Sequence, residues 1–261
     1  MNFLFWNVNK KKLDKVIVDL VIENDIDVLI LAEYEEDISG LLKEFKHNNK
    51  LMHNYTNLPK RDRLKIFTTF PESKIKRVED GHHYLVLMIP HNNIGYITLF
   101  AVHFFSKLHR NDPDFLMKSV KFSSTVTEIE KRVNSKNTIL CGDFNMNPFE
   151  QGLTISGGMH AFPTKIEAKK GKRTIDYEEY ETFYNPMWKF IGEDNSLGTY
   201  YHSNPDSSGL YWNIFDQVIV RPNLIDNLDN LKIIRETNTD ILATDEKILI
   251  SDHLPIKFSI N

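Results

Sequence analysis

Apolar positions along the chain change spacing repeatedly, and each change marks an element. Phe3 to Val8 is a nearly unbroken apolar run and reads as a strand. Leu13, Val16, Ile17, Leu20 and Val21 then recur at helical spacing, and Val28-Leu29-Ile30-Leu31 forms a second strand within Asp27 to Ala32. A strand–helix–strand opening favours parallel pairing through a right-handed crossover. A second helix is predicted from Ile38, Leu41, Leu42 and Phe45 on one face. Leu64 to Phe70 and His83 to Ile89 read as strands, Pro90-His91-Asn92-Asn93 as a turn, and Gly95 to Phe104 as the returning strand.

Asn111-Asp112-Pro113 has the form of a helix start, a capping residue followed by a first-turn proline. Phe115, Ser119, Phe122, Val126, Ile129 and Val133 then step by four and three, which predicts one long amphipathic helix. Thr138 to Cys141 and Ile248 to Ile250 are strand-like apolar runs, and Asn213 to Val220 and Leu254 to Ile260 are expected to close the sheet system. Residues 150–211 are rich in turns and aromatics and predict loops and short helices. No Pro/Gly/Ser linker interrupts the pattern, so the expectation is one α/β domain over residues 1–261.

Composition changes this picture little. The apolar share of 41% is enough for a full core. No apolar run reaches membrane-span length. The first residues read as a strand rather than a secretory signal, and the single cysteine, Cys141, can form no internal disulfide. A cytoplasmic location is the expectation. The net charge of −4 does not by itself mark a nucleic-acid binder. Basic residues nevertheless cluster at Lys10 to Lys12, Lys60 to Arg63, Lys107 to Arg110 and Lys169 to Arg173.

The candidate chemistry sits where the strands end. Asn7 follows the first strand and Glu33 the second. Parallel strands bring their carboxyl ends together, so an amide oxygen and a carboxylate should lie close, as a hard cation requires. Taken singly, Asn7 is also a good turn residue, and Glu33 equally suits the start of the next helix. His103 ends a strand, where a histidine also serves as a packed or hydrogen-bonded residue. Asp143 and Asn145 lie two apart in Gly142-Asp143-Phe144-Asn145, on one side if the backbone stays extended, the alternative being an Asx turn before Pro148. Gly142 permits close backbone approach there. Asp216 lies in an apolar run and needs a partner, for which His253 is the natural candidate. Such a pair fixes the imidazole tautomer and favours its charged form. Asp252, beside it, is placed for a metal or its waters.

Along nearly its whole length the chain resembles the endonuclease/exonuclease/phosphatase superfamily. The resemblance is carried by Trp6-Asn7, Leu31-Ala32-Glu33, Val102-His103-Phe104, Gly142-Asp143-Phe144-Asn145, Phe215-Asp216-Gln217 and Ser251-Asp252-His253. It implies a four-layer α/β sandwich, two packed mixed β-sheets flanked by helices. It also implies Mg²⁺- or Mn²⁺-dependent phosphoester hydrolysis. Glu33 would be the main metal ligand, with Asn7 and Asp252 nearby. Asp143, supported by Asn145, would orient or deprotonate the attacking water. His253, held by Asp216, would contact the scissile phosphate, and His103 would do similar work from another strand. The chain departs from the abasic-site repair branch, which has a lysine two places after the metal glutamate where this sequence reads Glu33-Tyr34-Glu35. His103 instead resembles the branch that holds tyrosyl-DNA phosphodiesterases, poly(A)-removing nucleases and sphingomyelinases.

The basic loops favour a polyanion. Lys10 follows Asn7, and Lys107 and Arg110 follow His103, so all three are expected near the cleft. Tyr201 and Trp212 precede Asp216 and suit stacking on unpaired bases, or packing within their own loop. The leading expectation is a nuclease or related phosphodiesterase with nucleic acid as substrate and no membrane partner. A phosphatase or phosphodiesterase acting on a small phosphorylated metabolite, inositol phosphate or lipid headgroup needs the same centre. A catalytically inactive binding module is the third reading, against which the full set of acidic and histidine positions argues.

Overall fold

In a computed structural model of the chain, the strand–helix–strand opening forms as β1 (Asn2–Asn7), α1 (Asp14–Glu23) and β2 (Val28–Ala32). The structure describes residues 1–55, 63–106, 112–192, 198–205 and 209–261, with Asp112 described in its backbone only. α2 (Ile38–His47) is capped by the Asp37 carboxylate, which accepts from the Ser39 and Gly40 amides. The chain continues through β3 (His53–Asn54), β4 (Leu64–Thr68), β5 (Lys76–Asp80), β6 (Tyr84–His91) and β7 (Gly95–His103). α3 (Asp112–Val133) leads to β8 (Thr138–Asp143), followed by α4 (Gln151–Thr154), β9 (Ala161–Phe162) and α5 (Lys165–Ala168). Then come β10 (Lys172–Ile175), β11 (Glu178–Glu181), β12 (Phe183–Tyr184), β13 (Tyr200–Tyr201), β14 (Trp212–Asn213), β15 (Asp216–Val220), β16 (Leu228–Ile233) and β17 (Ile256–Ile260).

The chain divides into two compact units, each assembled from segments far apart in sequence. One comprises Met1–Lys76, Leu197–Asp216 and Leu228–Asn261. Its six-stranded mixed sheet runs β16-β17-β1-β2-β4-β3. β1 and β2 are parallel, as the crossover through α1 demands, with Asn7 opposite Ala32. Leu4, Trp6, Leu29, Leu31 and Phe67 on one face share a core with Ile17, Leu20 and Val21 of α1 and with Leu41 and Phe45 of α2. Those helix positions are the ones that recur at three and four, so the apolar stripe dictates which helix face is buried.

The other unit comprises Arg77–Ser196 and Gln217–Asn227. Its seven-stranded mixed sheet runs β5-β6-β7-β8-β15-β12-β9. β6 and β7 form an antiparallel hairpin, and α3 carries the chain over to β8, which lies parallel to β7. Phe115, Phe122, Val126 and Ile129 of α3 pack with Val86, Phe100, Val102, Leu140 and Ile219 of the sheet. Under this layer lies a buried ion pair. Arg221 grips Glu130 through Nε and Nη2, both at 2.9 Å, donates from Nη1 to the Thr182 carbonyl at 3.1 Å, and stacks on Phe183. Both charges are 3% exposed.

The large sheets and their flanking helices agree with an α/β fold of two mixed sheets. Several local expectations differ. Pro90 and His91, expected in a turn, end β6 and pair with Tyr96 and Gly95. Ile248 to Ile250 is not a strand: Ile248 makes a single bridge to Ala243, and the next residues bend. Asn213 to Val220 is broken, with Asn213 in β14 and Asp216 opening β15. Within the stretch expected to be loops and short helices, β10 and β11 form an exposed ribbon whose turn residues, Asp176 and Tyr177, both have positive φ. That is the twist a two-residue hairpin prefers, achieved here without glycine.

Removing one partner of a buried ion pair strands the other charge. Arg221→Met should therefore lower unfolding free energy by about 3–5 kcal/mol in urea titration, and Glu130→Met with Arg221→Met should recover much of that loss. His160 is buried, with Nδ1 at 3.2 Å from the Glu181 carbonyl, and burial holds its imidazole below the usual histidine range. A group whose folded pKa is depressed stabilises the fold fully above its unfolded pKa, and that contribution is lost as pH falls towards the folded value. Stability should thus decline as pH drops below about 6.5, the ordinary histidine value. His160→Asn, which tolerates the positive φ at this position, should flatten that part of the stability–pH curve.

Candidate functional site

In the first unit, the parallel register of β1 and β2 places Asn7 and Glu33 at the same sheet edge. Asn7 uses its side-chain oxygen to accept the Asn9 amide at 3.0 Å, so the turn role and the strand-end position coexist. The backbone at this edge is tightly fixed. The Lys10 amide donates to the Glu33 carbonyl at 3.0 Å, and the Glu33 amide donates to the Arg63 carbonyl at 2.8 Å. Asn9, Lys10 and Glu33 all have positive φ, a conformation that costs non-glycine residues energy and concentrates at functional loops.

The Ser251-Asp252-His253 segment is tied to that edge. Ser251 Oγ donates to the Asn7 carbonyl at 2.9 Å and also lies 3.3 Å from Asp252 Oδ1. The Trp6 indole donates to the His253 carbonyl at 2.9 Å from inside the core. His253 Nδ1 stands 2.8 Å from Asp216 Oδ2, and both residues are buried. An ionised carboxylate only accepts, so Nδ1 carries the hydrogen and the tautomer is fixed. Asp216 is itself held by Thr199, whose hydroxyl accepts the Phe215 and Asp216 amides at 3.1 and 3.0 Å. Tyr200 packs its ring 4.8 Å from the His253 imidazole.

Asn7, Glu33 and Asp252 offer amide and carboxylate oxygens and no thiolate. That donor chemistry fits a hard divalent cation such as Mg²⁺ or Mn²⁺.

In the second unit, β7 and β8 repeat the parallel arrangement, with His103 directly opposite Asp143. His103 Nε2 lies 3.9 Å from Asp143 Oδ2, an ion-pair separation if the ring is protonated and too long for a direct hydrogen bond. Both are buried. Gly142 is required between the strands: a Cβ there would stand 1.9 Å from the Val102 carbonyl oxygen. Asn145 does not continue the strand as an extended residue. Its φ is 51°, its amide donates to Asp143 Oδ1 at 2.8 Å, and its side-chain Nδ2 donates to the Phe104 carbonyl at 3.2 Å. The carboxylate and amide are therefore coupled by a tight turn, not by strand alternation.

The remaining sequence candidates fall differently. Lys10 is exposed and pairs with Glu35 at 3.1 Å. Lys107 and Arg110 lie outside the described residues. Tyr201 and Trp212 face each other across the β13–β14 ribbon with ring centroids 5.0 Å apart, and Tyr211 stacks on Tyr201. Sequence reasoning missed the residues that hold the others in place. Gln217 donates to the Met146 carbonyl at 2.5 Å and accepts from Asn185 at 2.7 Å, anchoring the loop after Asp143. A buried amide inside an apolar strand was the available signal for Gln217. Thr199 carried none, because its role depends on a contact 17 residues away.

No family model and no curated relative matches the sequence. Solved structures do. The 3′ phosphatase NExo from Neisseria matches with a TM-score of 0.61 at 14% identity, over 100% of this chain and 99% of its own. An AP endonuclease from Archaeoglobus fulgidus matches at 0.59 and 14%, over 100% and 99%. Truncated Caenorhabditis elegans TDP2 matches at 0.57 and 16%, over 99% and 96%. The chain has the endonuclease/exonuclease/phosphatase fold. At these identities the likeness concerns the backbone, and the site chemistry rests on the residues described above.

Losing the Thr199 hydroxyl would remove its hydrogen bonds from two buried amides, each worth about 0.5–1.5 kcal/mol. Thr199→Val should be destabilised by at least about that amount in chemical denaturation, whereas Thr199→Ser should stay close to the parent.

Proposed function

We propose that the protein is a divalent-metal-dependent phosphoesterase, and specifically a nuclease or nucleic-acid phosphodiesterase. The observation that carries this reading is the buried Asp216–His253 pair, held on the same segment as Asp252 and tied through Ser251 to Asn7. A tautomer-locked imidazole beside an all-oxygen donor set is suited to a phosphate and a hard cation together. The Asp143–Asn145 turn and His103 supply the second group of residues that the sequence resemblance requires.

Glu33, Asn7 and Asp252 would hold Mg²⁺ or Mn²⁺, directly or through water. When bound, the cation supplies charge neutralisation at the phosphate and the leaving oxygen. Asp143 orients or deprotonates the attacking water, with Asn145 holding the turn that presents it. Asp216 keeps the hydrogen on His253 Nδ1, which leaves Nε2 for the scissile phosphate, and His103 stabilises the same developing charge. Lys10, Lys107 and Arg110 would meet flanking phosphates. Tyr201 and Trp212 would meet bases through whichever ring faces their mutual packing leaves open. The AP endonuclease, and NExo as a 3′ phosphatase bound to a product DNA hairpin, support a nucleic-acid substrate for this fold, and NExo keeps phosphomonoester release at a nucleic-acid end as the second reading. No helix among the described residues is long and apolar enough to cross a membrane. A cytoplasmic location belongs to the same proposal.

Hydrolysis of single- and double-stranded DNA, RNA and a small phosphomonoester, each with Mg²⁺, Mn²⁺ or EDTA, tests this directly. One polymer should be cut, EDTA should abolish cutting, and Asp143→Asn and His253→Ala should each lower turnover about 10²–10⁴-fold while circular dichroism stays unchanged. Turnover at the parent rate in both variants would overturn the site. Binding to a polymer substrate should weaken steeply and log-linearly with added salt. A shallow salt slope with release of inorganic phosphate would move the reading to a small phosphoester.

A further inference from the structure

One residue outside the proposed machinery holds both backbone groups of His103. The His103 amide donates to the His83 carbonyl at 2.9 Å, and His83 Nδ1 lies 3.1 Å from the His103 carbonyl oxygen. A carbonyl has no hydrogen to give, so Nδ1 of His83 must be the donor. In the neutral ring that fixes the tautomer, and the other nitrogen, Nε2, is then an acceptor. His82 Nδ1 stands 3.1 Å from that Nε2, which makes His82 the donor when both rings are neutral. The two rings are 4.4 Å apart and tilted by 56°. Edge-on contacts with Phe104 and Phe105 fix the His83 ring from its other sides.

The structure assigns His83 as a positioning residue for His103, with His82 securing the His83 tautomer. β7 ends at His103, and a terminal strand residue ordinarily loses order first. Here its amide is pinned by a backbone group and its carbonyl by a side chain of the same residue. The carbonyl bond sets the peptide plane after His103. It therefore also sets the direction of Phe104, whose amide donates to the Asp143 carbonyl at 2.9 Å and whose carbonyl accepts from Asn145. One imidazole thus fixes the histidine, and through the next peptide the turn that carries Asp143 and Asn145. His83 does this without touching substrate.

The kinetic consequence rests on the phosphoesterase reading above, and the ring state does not. Asparagine places its amide nitrogen where histidine has Nδ1, and glutamine reaches the place of Nε2. His83→Asn should keep turnover within about 3-fold of the parent, while His83→Ala and His83→Gln should lower kcat about 10-fold or more with KM nearly unchanged, as expected for small misplacement of a catalytic group. An asparagine variant as impaired as the alanine variant would overturn the assignment, as would alanine turning over at the parent rate. Nitrogen-15 NMR of the parent protein decides the ring state independently. A neutral His83 carrying its hydrogen on Nδ1 is expected, and a hydrogen on Nε2 overturns the assignment whether or not any phosphoester is hydrolysed. If the parent hydrolyses nothing, the functional reading falls and the NMR result alone decides this inference.

Discussion

Parallel strand register is the constraint on which the candidate chemistry depends. Antiparallel neighbours send their ends to opposite edges of a sheet, so residues that follow two such strands are kept apart. Parallel neighbours deliver them to the same edge. The chain uses this twice. β1 and β2 bring Asn7 and Glu33 together, and β7 and β8 set His103 against Asp143. Each pair needs a long crossover, and each crossover is a helix whose apolar stripe is matched to the sheet it covers, α1 in one unit and α3 in the other. Helix packing and site geometry are in this sense one requirement: a helix seated in another register would carry the strand ends with it.

The strand ends are then fixed by short polar links that leave little freedom. Ser251 spans from the Asn7 carbonyl towards Asp252, Trp6 takes the His253 carbonyl, and Thr199 satisfies the two amides that lead into Asp216. In the other unit, Gln217 and Asn185 support the loop beyond Asp143. Buried polar groups of this kind are tolerated only when partnered. Each link therefore couples the position of a candidate site residue to the hydrogen-bond bookkeeping of the core.

Much of this was legible in the sequence, for identifiable reasons. The α3 stripe from Phe115 to Ile129 obeys helical spacing and is buried as that spacing requires. Asn7, Glu33, His103 and Asp143 were legible because each directly follows or ends an apolar run. Asp216 and His253 were paired on the argument that a carboxylate in an apolar strand must have a partner, and they lie 2.8 Å apart. What could not be read depends on backbone dihedrals or distant contacts. Alternation alone could not decide between an extended Asn145 and an Asx turn, because that choice is made by the Asp143 side chain capping the Asn145 amide, which leaves Asn145 in the left-handed region. Ile248 to Ile250 has strand composition, but only Ile248 has a bridge partner, and composition does not reveal whether a neighbouring edge is available. Thr199 and His83 look like ordinary residues of loops and turns until the chain has folded around them.

The Glu130–Arg221 pair has a consequence for how this sequence can change over generations. Without Arg221 the Glu130 carboxylate would be stranded in a dry interior, at a cost of about 3–5 kcal/mol against a total stability of about 5–15 kcal/mol for an ordinary domain, whereas Arg221 without Glu130 would keep Glu181 at 3.4 Å. Replacement of Arg221 first therefore leads towards unfolded intermediates, although an uncharged pair could fill the same space. The two positions, 91 residues apart, are bound to drift in step or not at all. Descendants of this chain should keep both charges or have exchanged both, with forms that keep Glu130 alone purged first.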